Sequence, residues 1–79
     1  MTISNEDVTF VLSQISTAYL AARKKHAPMR GAHEGYAILK EEVDELWAEI
    51  KADNIENARL EAYQVAAMAL AFLLEVRSK

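Results

Sequence analysis

The sequence predicts an all-α protein, a three-helix chain that forms a helical bundle by oligomerisation. Apolar residues recur at intervals of three and four through three long segments, as they do along one face of a helix. No segment shows the sustained two-residue alternation of a strand. Only two glycines and one proline interrupt the 79 residues. We therefore expect residues 1–79 to form a single helical domain.

The first predicted helix covers about 5–25. Ser4 or Asn5 is a suitable N-terminal cap, and acidic residues follow in the first turn. The apolar stripe of this helix consists of Val8, Val11, Leu12, Ile15, Ala18, Tyr19 and Ala22. The next segment, HAPMRGA at 26–32, holds the only proline and predicts a loop.

Two further helices are predicted, at about 33–52 and 55–77, on either side of a break at Asp53-Asn54. The stripe of the second helix consists of Tyr36, Leu39, Val43, Leu46, Trp47 and Ile50. In the third helix, every residue from Ala62 to Leu74 except Gln64 is apolar or aromatic. Such a helix is typically surrounded by protein. Because one short chain cannot easily surround it, we expect a second copy to do so, with Trp47 in the core or at the subunit interface.

Composition excludes several classes of protein. The chain has no cysteine, which excludes disulfides and cysteine-based zinc sites. Its net charge of −3 argues against a nucleic-acid partner, which needs excess positive charge. The apolar run at 62–74 is shorter than the roughly 18–20 residues needed to span a bilayer. The N-terminus lacks the pattern of a signal peptide, so we expect a cytoplasmic protein with no membrane partner.

Acidic residues cluster on the second helix, in the segment EEVDELWAEI. At about 100° per residue, Glu42, Glu45 and Glu49 fall within roughly 60° of one another, beside the apolar stripe. Hard cations such as Mg²⁺ and Mn²⁺ prefer carboxylate oxygens. The alternative is a solvated acidic face that Lys40 and Lys51 partly neutralise.

The third helix adds polar residues to the same region. One of its faces carries Glu61, Gln64, Met68 and Glu75. If the second and third helices pack antiparallel, as their short connection indicates, Glu61 and Gln64 lie opposite Glu42 and Glu45. This arrangement predicts a four-point polar site inside a helical bundle.

Two spaced pairs carry a resemblance to a known family. Glu42-Val-Asp-Glu45 followed by Glu61-Ala-Tyr-Gln64 resembles the E-x-x-E and E-x-x-D pairs of the MazG-like all-α nucleotide pyrophosphohydrolases. The surrounding segments HEGYAILKEEVDELWAEI and EAYQVAAMALAFL look like those of small MazG-like proteins of phage or mobile-element type. The resemblance covers about 33–75, and the first helix more weakly.

The resemblance implies hydrolysis of a nucleoside triphosphate to the monophosphate and pyrophosphate, a nucleotide-pool house-cleaning activity that uses Mg²⁺, with Mn²⁺ as a substitute. Glu42, Glu45 and Glu61 would be metal ligands, and Gln64 stands where the family has aspartate. A glutamine oxygen can coordinate Mg²⁺ but brings no charge. Glu49 is a possible additional acid.

Further roles follow from the same chemistry. Glu42 or Glu45 would be the catalytic base. The basic residues at the end of the first helix and in the loop either contact the phosphates or form a solvated helix C-terminus favoured by the helix dipole; they are Arg23, Lys24, Lys25 and Arg30.

We expect a homodimer or a tetramer built from dimers. The alternative function is a non-catalytic helical interaction module, or a nucleotide sensor, of the same fold.

Overall fold

A computed structural model describes residues 1–78 and contains three helices. They are α1 (Asn5–Lys25), α2 (Ala32–Lys51) and α3 (Ile55–Glu75). Within the described residues there is no strand, and the all-α prediction is confirmed. The start of each helix lies within one residue of its predicted position, whereas α3 ends two residues earlier than the predicted 77.

Local hydrogen bonds account for the helix ends. Ser4 caps α1 in a reciprocal box, in which its Oγ accepts from the Asp7 N–H at 3.1 Å and its own N–H donates to the Asp7 carboxylate at 2.9 Å. Between α2 and α3, Asp53 adopts a left-handed conformation (φ 57°), and the Asn54 N–H donates to the Glu49 carbonyl at 3.0 Å. Asn54 then caps α3 by accepting from the Asn57 N–H. This tight turn makes α2 and α3 antiparallel neighbours.

The central helix is α3, which packs against both α1 and α2. Over residues 1–78, no Cα atom of α1 lies within 8 Å of one in α2. The hydroxyl of Tyr19, late in α1, reaches Glu75 at the end of α3, and Val11 lies beside Ala62 near the other ends. The helices α1 and α3 therefore run parallel, and an open cleft separates α1 from α2.

Small residues make the interior. The buried apolar residues are Met29, Ala58, Ala67 and Ala71. Gly35 on α2 is also buried, and a Cβ atom added there would lie only 2.7 Å from the Phe72 ring of α3. Close approach of α2 and α3 thus requires glycine at this position. No large side chain of the described residues is fully buried, so the chain has a thin, alanine-rich core.

Candidate metal centre and adjoining cleft

Three carboxylates meet where α2 and α3 pack together. Glu42 and Glu45 lie one turn apart on α2, and the antiparallel packing places Glu61 of α3 next to them. Each residue offers a carboxylate oxygen, and these three oxygens lie within 4.8 Å of one another. Glu42 and Glu61 are half-buried, whereas Glu45 is exposed. We call these three residues the acidic cluster.

The acidic cluster is electrostatically uncompensated. Burial, the neighbouring charge of Glu45, a hydrogen bond shared with Glu45, and the charge of Glu61 together raise the pKa of Glu42 to about 7. Burial and the same interactions with Glu45 also raise the pKa of Glu61. Among residues 1–78, no ion pair reaches any of the three carboxylates.

The two lysines considered as neutralising partners lie elsewhere. Lys40 pairs with Asp44, with 2.9 Å between Nζ and Oδ2. The Lys51 ammonium lies 5.7 Å from the centre of the Trp47 ring. The partial neutralisation that the alternative interpretation of the acidic face assigns to Lys40 and Lys51 therefore does not extend to the acidic cluster.

Glu49 and Gln64 lie beside the acidic cluster. Glu49, one turn beyond Glu45, is half-buried, and its charge contributes to raising the pKa of Glu61. Gln64 is exposed in the single chain. The reason for this exposure is the separation of α1 from α2, because the face of α3 that carries Gln64 borders the open cleft.

The cleft has a volume of about 470 Å³ and is bounded by all three helices and the loop after α1. Glu42, a member of the acidic cluster, lines the cleft together with Glu41 and Gln64. The apolar part of the lining includes Ala18, Ala22, Ile38, Met68 and Ala71. Polar and charged residues from α1, the loop and the end of α3 also line it, namely Tyr19, Arg23, Lys25, His26 and Glu75. A volume of this size lies within the range of small-molecule sites, about 300–1,000 Å³.

Only two of the four candidate phosphate ligands line the cleft, namely Arg23 and Lys25. Lys24 is not part of its lining and lies roughly 180° around α1 from the stripe that packs on α3. Arg30 pairs with Glu34 at the start of α2, with 2.7 Å between Nη2 and Oε2. The structure therefore separates the basic group into two residues that face the cleft and two that do not.

Glu75 anchors the end of the cleft farthest along α3. Its carboxylate accepts hydrogen bonds from the Tyr19 hydroxyl at 2.7 Å and the Met29 N–H at 2.9 Å, and Arg23 Nε lies 3.3 Å away. Burial alone would raise the pKa of Glu75, but the Met29 N–H, the Tyr19 hydroxyl and Arg23 together lower it. We call Glu75 and these three partners the Glu75 anchor.

Sequence reasoning placed Glu75 on the correct face of α3 but missed the anchor. The available signal was an acid in the last turn of a helix, where the dipole disfavours negative charge. Such a residue needs donors from elsewhere in the chain. Tyr19 and Arg23 supply them from α1, and the Met29 N–H supplies a third from the loop.

The donor set of the acidic cluster fits a hard divalent cation. Three carboxylates on two rigid helices offer oxygen ligands of the kind that Mg²⁺ and Mn²⁺ prefer. Their mutual repulsion is a cost in the metal-free protein that a bound cation removes. The Gln64 amide oxygen, on the same face of α3 one turn beyond Glu61, is a further neutral donor at the mouth of the cleft.

Comparisons with known proteins provide no relative: no protein-family model, curated protein or solved structure matches the chain. Over residues 1–78, none of the helices combines the length and apolarity needed to cross a bilayer. A functional assignment therefore depends on the residues and geometry of the acidic cluster and the cleft.

Proposed function

We propose that this protein is a MazG-like, Mg²⁺-dependent nucleoside triphosphate pyrophosphohydrolase that converts a ribo- or deoxyribonucleoside triphosphate to the monophosphate and pyrophosphate. One observation carries the proposal. Three carboxylates that no ion pair of the described residues reaches have oxygens within 4.8 Å of one another, and one of them, Glu42, lines a cleft that Arg23 and Lys25 also line. A triphosphate with its metal has charges complementary to both the carboxylates and the two basic residues.

The metal ligands in this proposal are Glu42, Glu45 and Glu61, with Gln64 as a neutral fourth donor and Glu49 as an additional acid in reserve. A bound Mg²⁺ ion supplies neutralisation of phosphate charge and polarisation of the attacked phosphorus. Mn²⁺ has the same ligand preferences and would substitute.

The remaining roles belong to side chains. The carboxylate of Glu42 or Glu45 orients the attacking water and accepts its proton. Lys25 and Arg23, which also pairs with Glu75, line the cleft and would contact phosphate oxygens of the substrate. The alanines, Ile38 and Met68 of the apolar part of the lining offer a surface for the nucleoside.

The chain acts as a homodimer or as a tetramer built from dimers, in the cytoplasm, without a nucleic-acid or membrane partner. The thin core supports assembly, because fifteen large apolar side chains of the described residues are exposed in the single chain. Clearing unwanted nucleotides is the role that fits an enzyme of this class.

A second candidate is a non-catalytic helical interaction module, or a nucleotide sensor, with the same fold. The exposed apolar side chains and the uncharged Gln64 favour it. In this case the acidic cluster is only a site of local charge repulsion. Removing its charge then changes the stability of the protein and no other property.

The deciding experiment measures pyrophosphate release from a panel of ribo- and deoxyribonucleoside triphosphates with Mg²⁺ or Mn²⁺. The wild-type protein should release pyrophosphate from at least one of them, and Glu42→Gln and Glu45→Gln should abolish the release. Asp44→Asn is the matched control, because Asp44 is on the same helix but pairs with Lys40 outside the acidic cluster. No release from any nucleotide with either metal would reject the enzymatic function.

A further inference from the structure

Arg23 has a charged partner in the chain and still presents part of its guanidinium to the cleft. It lies in the last turn of α1, lines the cleft, and its side chain is 38% exposed. Its Nε atom makes the 3.3 Å contact with Glu75. Over residues 1–78, no carboxylate accepts a hydrogen bond from either of its terminal nitrogens. The charge of the Arg23 guanidinium is therefore matched by a carboxylate along one edge only.

Arg30 shows the opposite arrangement. Its Nε and Nη2 atoms both donate to Oε2 of Glu34, at 3.0 and 2.7 Å, and it does not line the cleft. Glu34 is only four residues away in sequence, so this pair is local and closed. Glu75 belongs to a different helix from Arg23, and their contact therefore fixes where α1 presents its arginine to the cleft.

The Glu75 carboxylate is a fixed support for Arg23. Its Oε1 atom accepts from the Met29 N–H at 2.9 Å, and its Oε2 atom accepts from the Tyr19 hydroxyl at 2.7 Å. The side chain is only 9% exposed. Because donors other than Arg23 hold both oxygens, the carboxylate keeps its position when the arginine contacts a ligand.

An arginine held in this way binds an anion at a lower entropic cost than a mobile one. An unpartnered arginine samples many rotamers and loses that freedom when it binds. Contact with a fixed carboxylate removes part of the freedom before the ligand arrives, which is preorganisation. The terminal nitrogens of a guanidinium form a planar fork that matches two phosphate oxygens. The pair of Glu75 and Arg23 is therefore suited to a phosphate group in the cleft.

We propose that Glu75 is a positioning residue, which holds Arg23 in the cleft so that the terminal nitrogens of Arg23 bind a phosphate group of the substrate. The inference rests on the proposed pyrophosphohydrolase function and adds a residue that touches neither substrate nor metal. None of the partners of Glu75 belongs to the acidic cluster. Glu75 therefore affects substrate binding, which is read in KM, and not the chemical step, which is read in kcat.

Steady-state kinetics, with a triphosphate that the wild-type protein hydrolyses, tests the positioning role. Glu75→Gln keeps the shape of the side chain and removes its charge, so KM should rise by about fivefold while kcat stays within about twofold. Ser4→Ala is the matched control, because it removes the α1 cap outside the cleft lining and lowers stability by a similar amount. Its KM should equal that of the wild type. Circular dichroism at the assay temperature should show that both variants retain their helices.

A double-mutant cycle separates positioning from a loss of stability. Arg23→Ala should raise KM by about thirtyfold, because a charge-assisted hydrogen bond to phosphate is lost. In the Arg23→Ala background, Glu75→Gln should cause no further rise in KM, since Glu75 acts through Arg23. A Glu75 residue that only stabilised the fold would change KM by the same factor in both backgrounds.

Calorimetry with inorganic tripolyphosphate and excess Mg²⁺ repeats the cycle without turnover. The wild-type protein should bind tripolyphosphate, and Glu75→Gln should weaken the binding by about fivefold. This weakening should disappear when Arg23 is already alanine.

Failure of this inference is distinguishable from failure of the enzymatic function. If the wild-type protein releases pyrophosphate while Glu75→Gln keeps the wild-type KM, or changes KM equally in both backgrounds, the positioning role is overturned and the enzymatic function stands. If the wild-type protein releases no pyrophosphate from any triphosphate, the enzymatic function is rejected, and calorimetry alone decides the positioning role. Absence of tripolyphosphate binding, or equal weakening in both backgrounds, then overturns that role.

Discussion

The acidic cluster and Glu75 differ in what surrounds them, although Glu42 and Glu75 line the same cleft. Glu75 is 9% exposed and receives the Tyr19 hydroxyl, the Met29 N–H and the Arg23 guanidinium, so its pKa is lowered. Glu42 is surrounded by other carboxylates, and its pKa is raised to about 7. One carboxylate is fully satisfied within the chain, and the other is not.

The difference separates a structural role from a ligand-binding role. The Glu75 anchor joins the last turn of α1, the loop and the end of α3, so its charge is used to hold the fold. The acidic cluster holds nothing together, because its members repel one another. Like-charged groups that the chain itself does not neutralise are suited to an external cation.

The largest expected effect on stability is at the anchor. Glu75→Ala leaves the Tyr19 hydroxyl, the Met29 N–H and Arg23 without their common acceptor. We expect the free energy of unfolding to fall by about 2–3 kcal/mol, measured by urea titration with circular dichroism.

Glu75→Gln is the matched variant. Its amide oxygen still accepts a hydrogen bond but carries no charge, so the loss should be smaller, about 1 kcal/mol. If Glu75→Ala were as stable as the wild-type protein, the anchor would not contribute to the fold.

Glu42 and Glu75 should make the free energy of unfolding depend on pH in opposite directions. The native state holds the Glu42 proton up to about pH 7, whereas the unfolded chain releases it near the ordinary value of 4.5. This contribution is therefore present at low pH and lost as pH rises through about 7. In metal-free buffer, the free energy of unfolding should fall by about 1–2 kcal/mol from pH 5 to pH 8, after allowing for solvent screening.

The contribution of Glu75 to stability depends on pH in the opposite direction. Its lowered pKa means that its stabilisation is present above the ordinary carboxyl value and is lost as pH falls below it. Glu42→Gln tests the first effect, because it should reduce the decline between pH 5 and pH 8 to the part that Glu61 contributes and leave the acidic limb unchanged. A wild-type profile that is flat from pH 5 to pH 8 would contradict the proposed repulsion in the acidic cluster.

A smaller effect is expected from restoring charge beside the acidic cluster. Gln64→Asp should raise the affinity for Mg²⁺ by about tenfold, measured by calorimetry, because a carboxylate replaces a neutral oxygen donor. Gln14→Asp is the control, since Gln14 is exposed on α1 away from the cleft lining. An unchanged affinity in Gln64→Asp would remove Gln64 from the metal site.

The smallest effect is expected at the surface pair of Lys40 and Asp44. Both side chains are more than half exposed, so water and salt screen their 2.9 Å ion pair. Asp44→Asn should leave the urea midpoint and the Mg²⁺ affinity within experimental error of the wild-type values. A clear loss of Mg²⁺ affinity would mean that the acidic cluster extends to this side of α2.

The helices were predictable because local signals mark them. Ser4 and Asn54 cap two helices as their residue types favour, and the apolar periodicity gives the rest. The meeting of Glu61 with Glu42 and Glu45 was also predictable, since it needs only the spacing within each helix and a short antiparallel connection.

Features that depend on the placement of α1 were not predictable. Gln64 is exposed because α1 and α2 do not close over it, and no local pattern determines that separation. The partners of Glu75 come from positions 46 and 56 residues away in the chain. The exposed position of Trp47 likewise depends on what packs against α2, and not on the stripe itself.

Thermal unfolding at pH 8, with and without millimolar Mg²⁺, compares the two groups of carboxylates in one measurement. The wild-type midpoint should rise by about 5 °C with Mg²⁺, because the cation binds only the native arrangement of the acidic cluster. Glu61→Gln should lose this rise. Glu75→Gln should unfold at a lower temperature yet keep the rise. A wild-type protein that does not respond to Mg²⁺, or a Glu61→Gln variant that responds equally, would contradict a metal site at the acidic cluster.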